Sequence, residues 1–109
     1  MIFKIDISEQ ADADLRNIYE YIAFELQSSG NASAQLDHLE ESIMSLDHMP
    51  ERFRKYENEP WHGRNLRFMP VDNYCVLYLT DIKEALVTII RVMYQGRNID
   101  VQLTKYTKQ

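Results

Sequence analysis

The chain has 109 residues and a formal net charge of −5; 45% of its residues are hydrophobic, 27% are charged, and Gly and Pro occur three times each. That length fits one domain, residues 1–109, with one modest core, and the composition excludes fibrous and disordered classes. No stretch approaches a membrane span, no basic leader opens the chain, and the lone Cys75 has no disulfide or thiolate-metal partner. A soluble, cytoplasmic protein with no membrane partner and no cofactor is expected.

Charge is unevenly distributed. Residues 1 to 60 hold five Lys+Arg against thirteen Asp+Glu, net −8, whereas residues 61 to 109 hold seven against four, net +3. Broad, sequence-blind binding to nucleic acid is disfavoured, because such affinity comes from neutralising phosphates. Any polyanion would have to be met by the C-terminal half.

Taken in chain order, Ile2, Phe3, Ile5 and Ile7 predict a strand over residues 2 to 7, and Ser8 then provides an N-cap with Glu9 beside it. Ala11, Leu15, Ile18, Ile22 and Leu26 recur every three or four residues and form one face of a long helix. A polar link, Ser28-Ser29-Gly30-Asn31, leads to a second stripe at Ala32, Leu36, Leu39, Ile43 and Leu46, so an antiparallel helical hairpin is predicted. Residues 48 to 63 lack a period, contain two prolines and are read as a surface connection.

The last third reads as strands. Leu66 and Phe68 alternate with Arg67 before Pro70, and Asp72-Asn73 suits a tight turn. Residues 74 to 80 and 86 to 94 are apolar on both faces, which predicts central strands covered on both sides. A short helix is expected from Asn98 to about Tyr106. The resulting order, β-α-α-β-β-β, is that of an α+β domain in which a helical hairpin packs on a mainly antiparallel, twisted sheet.

Chemistry is sparse. His38, His48 and His62 lack the close spacing of a metal site, so no metal is expected, and His38 is read as a solvated helix residue. Glycine-rich phosphate loops and nucleophile elbows are absent. What remains is a basic and aromatic set: Arg64, Arg67, Tyr74, Tyr78, Arg91, Tyr94 and Arg97. Guanidinium forks suit bidentate contacts to phosphate or carboxylate oxygens, and arginines on adjacent strands can converge on one anion.

Arg91 interrupts an apolar run in an expected central strand, where a bare charge is expensive, so it needs a partner or a solvent-filled cleft. A structural ion pair to an acid of the helices explains it as well as an anion site does. A solvated strand face accounts for Arg67, and core or rim packing accounts for Tyr74 and Tyr78. Tyr94 and Arg97, at the end of the last strand, occupy a position where functional groups concentrate.

The segments Ile5-Asp6-Ile7-Ser8 through Ile22-Ala23, Ile43 to Leu46 leading into Met49-Pro50, Arg67-Phe68-Met69-Pro70-Val71, Tyr74-Cys75-Val76-Leu77-Tyr78 and Ile89-Ile90-Arg91 through Gln95-Gly96-Arg97 together resemble the RelE/ParE superfamily of bacterial toxin–antitoxin toxins. The resemblance implies a compact α+β fold and a cognate antitoxin protein as partner, in a toxin–antitoxin hetero-oligomer or beside a homodimer. It implies one of two activities. RelE-like members are metal-independent endoribonucleases acting on messenger RNA on the ribosome; there Arg67 and Arg91 would stabilise charge, Tyr94 would serve as acid or base, and Arg97 would hold the backbone, while Arg64, Arg67, Arg91 and Arg97 make up the nucleic-acid or target-binding set. ParE-like members poison DNA gyrase without a catalytic set, and the arginines would then grip the target.

The ParE-like reading leads. Many relatives carry His where this chain has Tyr94, and a tyrosine titrating near ~10 is a poor base at neutral pH. The acidic overall charge also opposes approach to ribosomal RNA. A non-toxic interaction module that keeps the fold is the third alternative.

Overall fold

The computed structural model describes residues 1–107. Strand β1 (Lys4–Ile7) leads directly into helix α1 (Glu9–Glu20). Ser8 caps that helix in extended conformation, its Oγ accepting from the Ala11 amide at 3.1 Å, and Glu9 and Asp12 sit in the positively polarised first turn. The helix then widens into a π-helical turn (Tyr21–Glu25) and stops at Gln27, whose φ of 50° is left-handed. Helix α2 (Ser29–Met44) returns antiparallel and ends in the 3-10 turn Ser45–Asp47.

Strands β2 (Arg67–Val71), β3 (Tyr74–Asp81) and β4 (Leu86–Tyr94) form an antiparallel meander, and β1 adds parallel to β4, giving the order β1-β4-β3-β2. The central pair is β3 and β4, as their two-sided apolar pattern predicts. The last helix, α3, spans Ile99–Tyr106, with the Asn98 side chain accepting from the Val101 amide. No described helix is long and apolar enough to cross a membrane.

Two apolar clusters lie on opposite faces of the sheet. On one, Ala11 and Leu15 of α1 and Leu39 and Ile43 of α2 pack on Met69, Val71, Val76, Tyr78, Val87, Ile89 and Val92. On the other, Leu103 of α3 joins Tyr56, Trp61, Leu66, Phe68, Cys75, Leu77, Ile90 and Met93. The split follows strand alternation, with even residues of β3 towards the hairpin and odd residues towards α3.

Several local expectations change. The first strand is shorter, because Phe3 donates its amide to the Asp47 carbonyl at 2.8 Å and Ile2 is exposed. Leu26 leaves the buried face and is 57% exposed: the Leu26 amide bonds to the Tyr21 carbonyl five residues back, and this extra residue per turn rotates it off the stripe. Ser29, Gly30 and Asn31 are already helical, so the link between the helices is tighter than their polarity suggests. The connection over residues 48 to 63 does run over the surface, yet it buries Pro50, Tyr56 and Trp61.

Candidate functional site

Strand β1 ends at Ile7, so β4 would have an open edge beyond Ile89. Helix α1 closes it with side chains. The Ser8 Oγ donates to the Ile90 carbonyl at 3.0 Å, and Asp14 Oδ2 accepts from the Val92 amide at 3.0 Å. A bulge opposite Leu77 and Tyr78, where Tyr78 pairs with Ile89 and Leu77 with Arg91, shifts the register of β4 at this point. The Arg91 guanidinium reaches the same carboxylate twice, Nε to Oδ2 at 2.7 Å and Nη2 to Oδ1 at 2.9 Å, while Nη1 donates to the Thr107 Oγ1 at 2.9 Å.

The pair is sequestered: the Arg91 side chain is 7% exposed and that of Asp14 12%. Arg91 therefore takes the structural ion pair, the second of the two explanations its position allowed. Arg67 also turns away from solvent, at 14% exposure, because Nη1 donates to the carbonyls of Phe53 at 2.7 Å and Glu51 at 3.2 Å, with the Glu51 carboxylate 3.5 Å from Nη2. It ties the connecting segment to β2 instead of lying on a solvated strand face, and β3 separates it from the strand carrying Arg91. Arg64 lies over the Trp61 ring, 4.9 Å from its centroid. Arg91, Arg67 and Arg64 thus serve separate local partners and do not converge on one anion.

Arg97 differs. Its side chain is exposed and has no ion pair or side-chain hydrogen bond among the described residues. With Tyr94 it borders a groove of about 440 Å³ whose other walls are Asp14, Asn17, Ile18 and Tyr21 of the first helix and Tyr74, Val92 and Met93 of the sheet. Tyr74 and Tyr94 are paired across β3 and β4, and their rings meet edge to face, centroids 6.0 Å apart at 74°. Gly96 makes room for this arrangement: a Cβ there would collide with the Tyr94 ring at Cε2. Burial, followed by the nearby Tyr21 and Tyr94 hydroxyls, pushes the Tyr74 hydroxyl above its ordinary range.

Tyr78 and Tyr56 are structural. Tyr78 is fully buried and donates to the Pro50 carbonyl at 2.6 Å, and burial pushes its hydroxyl up to about 12. Tyr56 donates to Asp100, which fastens α3 to the connecting segment; burial and this carboxylate raise it further still. His38 is exposed as expected but has a partner, Asp72 Oδ2 at 2.7 Å, and Gln35 donates to the same oxygen at 3.0 Å. Sequence reasoning missed Asp14, one of thirteen acids in the first half; Tyr21, hidden by the π-helical turn; and Asn17. The signal available for Asp14 was its place one turn before Ile18 on the helix that follows β1.

Comparison with known proteins agrees with this architecture. The family model described as the ParE toxin of the type II toxin–antitoxin system parDE matches residues 5–99. Among solved structures, the chain is similar to the chromosomal ParDE system of P. aeruginosa (TM-score 0.69, 17% identity, covering 85% of this chain and 96% of that one). It is also similar to the RelBE2 toxin–antitoxin complex of Mycobacterium tuberculosis (0.64, 19%, 86% and 99%) and to a doubly substituted E. coli RelE toxin in the free state (0.63, 16%, 91% and 90%). No curated protein matches the sequence. The structural likenesses show the fold, and the family match, which spans most of the 109 residues, shows the lineage: the chain belongs to the ParE toxin family of type II toxin–antitoxin systems.

Proposed function

We propose that the chain inhibits growth as a ParE-like toxin that grips a protein target, DNA gyrase, and cuts no nucleic acid. The observation that carries this reading is the two-pronged Asp14–Arg91 pair. Metal-independent RNA cleavage needs cations free to stabilise a developing phosphorane and a group able to take the 2′-hydroxyl proton. Arg91 is neutralised, Arg67 is spent on carbonyls, and the buried Tyr78 beside Arg67 holds its proton more tightly, not less.

The groove suits recognition. Tyrosines and an uncompensated arginine are the side chains most enriched where binding energy concentrates at protein interfaces. Arg97 with Tyr94, Tyr74 and Tyr21 therefore forms the target-binding surface, with Arg97 seeking a carboxylate or phosphate. Expression of the chain without its antitoxin should arrest growth. Purified protein added to gyrase and plasmid should accumulate broken DNA, and added to a translating extract should leave messenger RNA intact; cut messenger with unaffected gyrase would replace this reading with the ribonuclease one. Unimpaired growth with soluble chain would indicate a non-toxic module.

A further inference from the structure

The β3–β4 ladder ends at the Tyr74–Tyr94 pair, and the turn that carries Arg97 lies beyond it. That turn spans residues 94 to 97 and is closed by the Arg97 amide, which donates to the Tyr94 carbonyl at 3.1 Å. Gln95 stands inside it. The Gln95 amide donates to the Asn73 carbonyl at 2.8 Å, and its side-chain Nε2 donates to the carbonyls on either side, Asp72 at 3.0 Å and Tyr74 at 2.9 Å. Successive carbonyls at the bend between β2 and β3 are thus met by a single residue. Two carbonyl acceptors can be served only by the carboxamide nitrogen, so both of its N–H bonds are used and the direction of the amide is fixed.

The bend that receives these bonds is itself anchored. Asp72 has a left-handed φ of 55°, which aspartate tolerates, and its carboxylate is held by Gln35 and His38 of α2. Helix α2 shares its apolar cluster with α1, and α1 supplies the opposite wall of the groove that Tyr94 and Arg97 border. A chain of bonds therefore runs from the helical hairpin through Asp72 and Gln95 to the turn, tying one wall of the groove to the other. Without the carboxamide, this exposed turn would keep only its closing bond and the main-chain bond to Asn73, too few to hold it in one conformation.

We propose that Gln95 is the positioning residue of the target-binding surface: its carboxamide fixes the 94–97 turn against the Asp72–Tyr74 bend and so holds Arg97 at the rim of the groove before the target arrives. The proposal rests on the reading of that groove as the surface that grips gyrase. An arginine already held in place loses less freedom on binding than the same arginine on a loose turn, and the difference appears as affinity. Gln95 acts through Arg97 and needs no contact with the target.

The test uses the full chain and purified gyrase. Gln95→Met keeps the length of the side chain and removes both donors. In the free chain it should speed exchange of the Arg97 amide several-fold, with the urea midpoint little changed because Gln95 is exposed. Gln95→Lys, which returns N–H donors to the two carbonyls, should restore the slower exchange. Calorimetric affinity for gyrase should fall roughly tenfold in Gln95→Met. The same change made in an Arg97→Ala chain should cost little more than Arg97→Ala alone, since nothing is left to position, whereas a merely structural role would add its full loss. Wild-type gyrase affinity in Gln95→Met, an unchanged Arg97 amide, or additive losses in the double variant would each overturn the positioning role while leaving gyrase as the target. A wild-type chain that does not bind gyrase would overturn both. Should Gln95→Met fail to fold, Gln95→Ala makes the same comparisons.

Discussion

Asp14 on the first helix and Arg91 on the last strand, 77 positions apart, are joined through two hydrogen bonds of 2.7 and 2.9 Å, and the same carboxylate accepts the amide of Val92. One side chain thus neutralises a buried cation and completes a strand edge that β1 is too short to cover. Removing one member of such a pair leaves an uncompensated charge, whereas replacing both by apolar groups removes the desolvation cost of each.

Asp14→Ala should therefore destabilise the fold by about 3 to 5 kcal/mol, and the double change Asp14→Leu with Arg91→Met by much less. Urea unfolding of the two variants checks this. Equal losses would mean that Arg91 finds another partner.

The buried acids of the second half predict weakening in alkali. Burial raises Cys75 to about 12 and Tyr78 to about 12, so both hold their protons in the folded chain at a pH where the unfolded chain releases them. Their contribution is fully present below the unfolded values, ~8.5 for the thiol and ~10 for the phenol, and is lost as pH rises towards 12. The urea midpoint should fall across that window, and Cys75→Ala should flatten the lower part of the slope. The same burial should keep Cys75 unreactive to alkylating reagents until the chain unfolds.

Tyr78→Phe leaves the Pro50 carbonyl without its donor at a buried site and should cost about 1 to 3 kcal/mol, read as a lower urea midpoint.

At the turn between β2 and β3, the hydrogen bonds from His38 and then Gln35 hold the Asp72 carboxyl below its usual range. A depressed carboxyl contributes stability above its unfolded value that is lost as pH falls through the folded one. Both side chains are exposed, so the readable effect is the titration itself: His38→Ala should move the Asp72 carboxyl resonance to a higher midpoint.

The order of elements, the hairpin and the central strands were legible because periods of 3.6 and 2 carry through these segments without interruption. Arg91 needed a partner on the same evidence, since a charge within Ile89-Ile90-Arg91-Val92 has few options. The partner's identity was not legible, because it depends on where β1 stops and where the bulge falls, and neither leaves a pattern. Leu26 was misplaced for a similar reason: one π-helical turn adds a residue that a fixed 3.6 period does not count. Tyr56 and Trp61 sit in an aperiodic stretch, so their burial beneath α3 had no sequence signal. The carbonyl anchors of Arg67 were invisible because backbone acceptors carry no residue type.

Arg97 and the Tyr74–Tyr94 contact next to Gly96 line the groove proposed here as the target-binding surface. Gly96→Ala would force the Tyr94 ring aside and should change the near-ultraviolet circular dichroism while leaving the far-ultraviolet spectrum unchanged, and it should reduce toxicity on expression without the antitoxin.

The most direct measurement is gyrase-dependent plasmid breakage by purified wild-type chain and by Arg97→Ala, with messenger cleavage in a translating extract read in parallel. The account predicts broken plasmid from the wild type, its loss in a folded Arg97→Ala chain, and intact messenger with both. Messenger cleavage by the wild type, or plasmid breakage undiminished in Arg97→Ala, would contradict it.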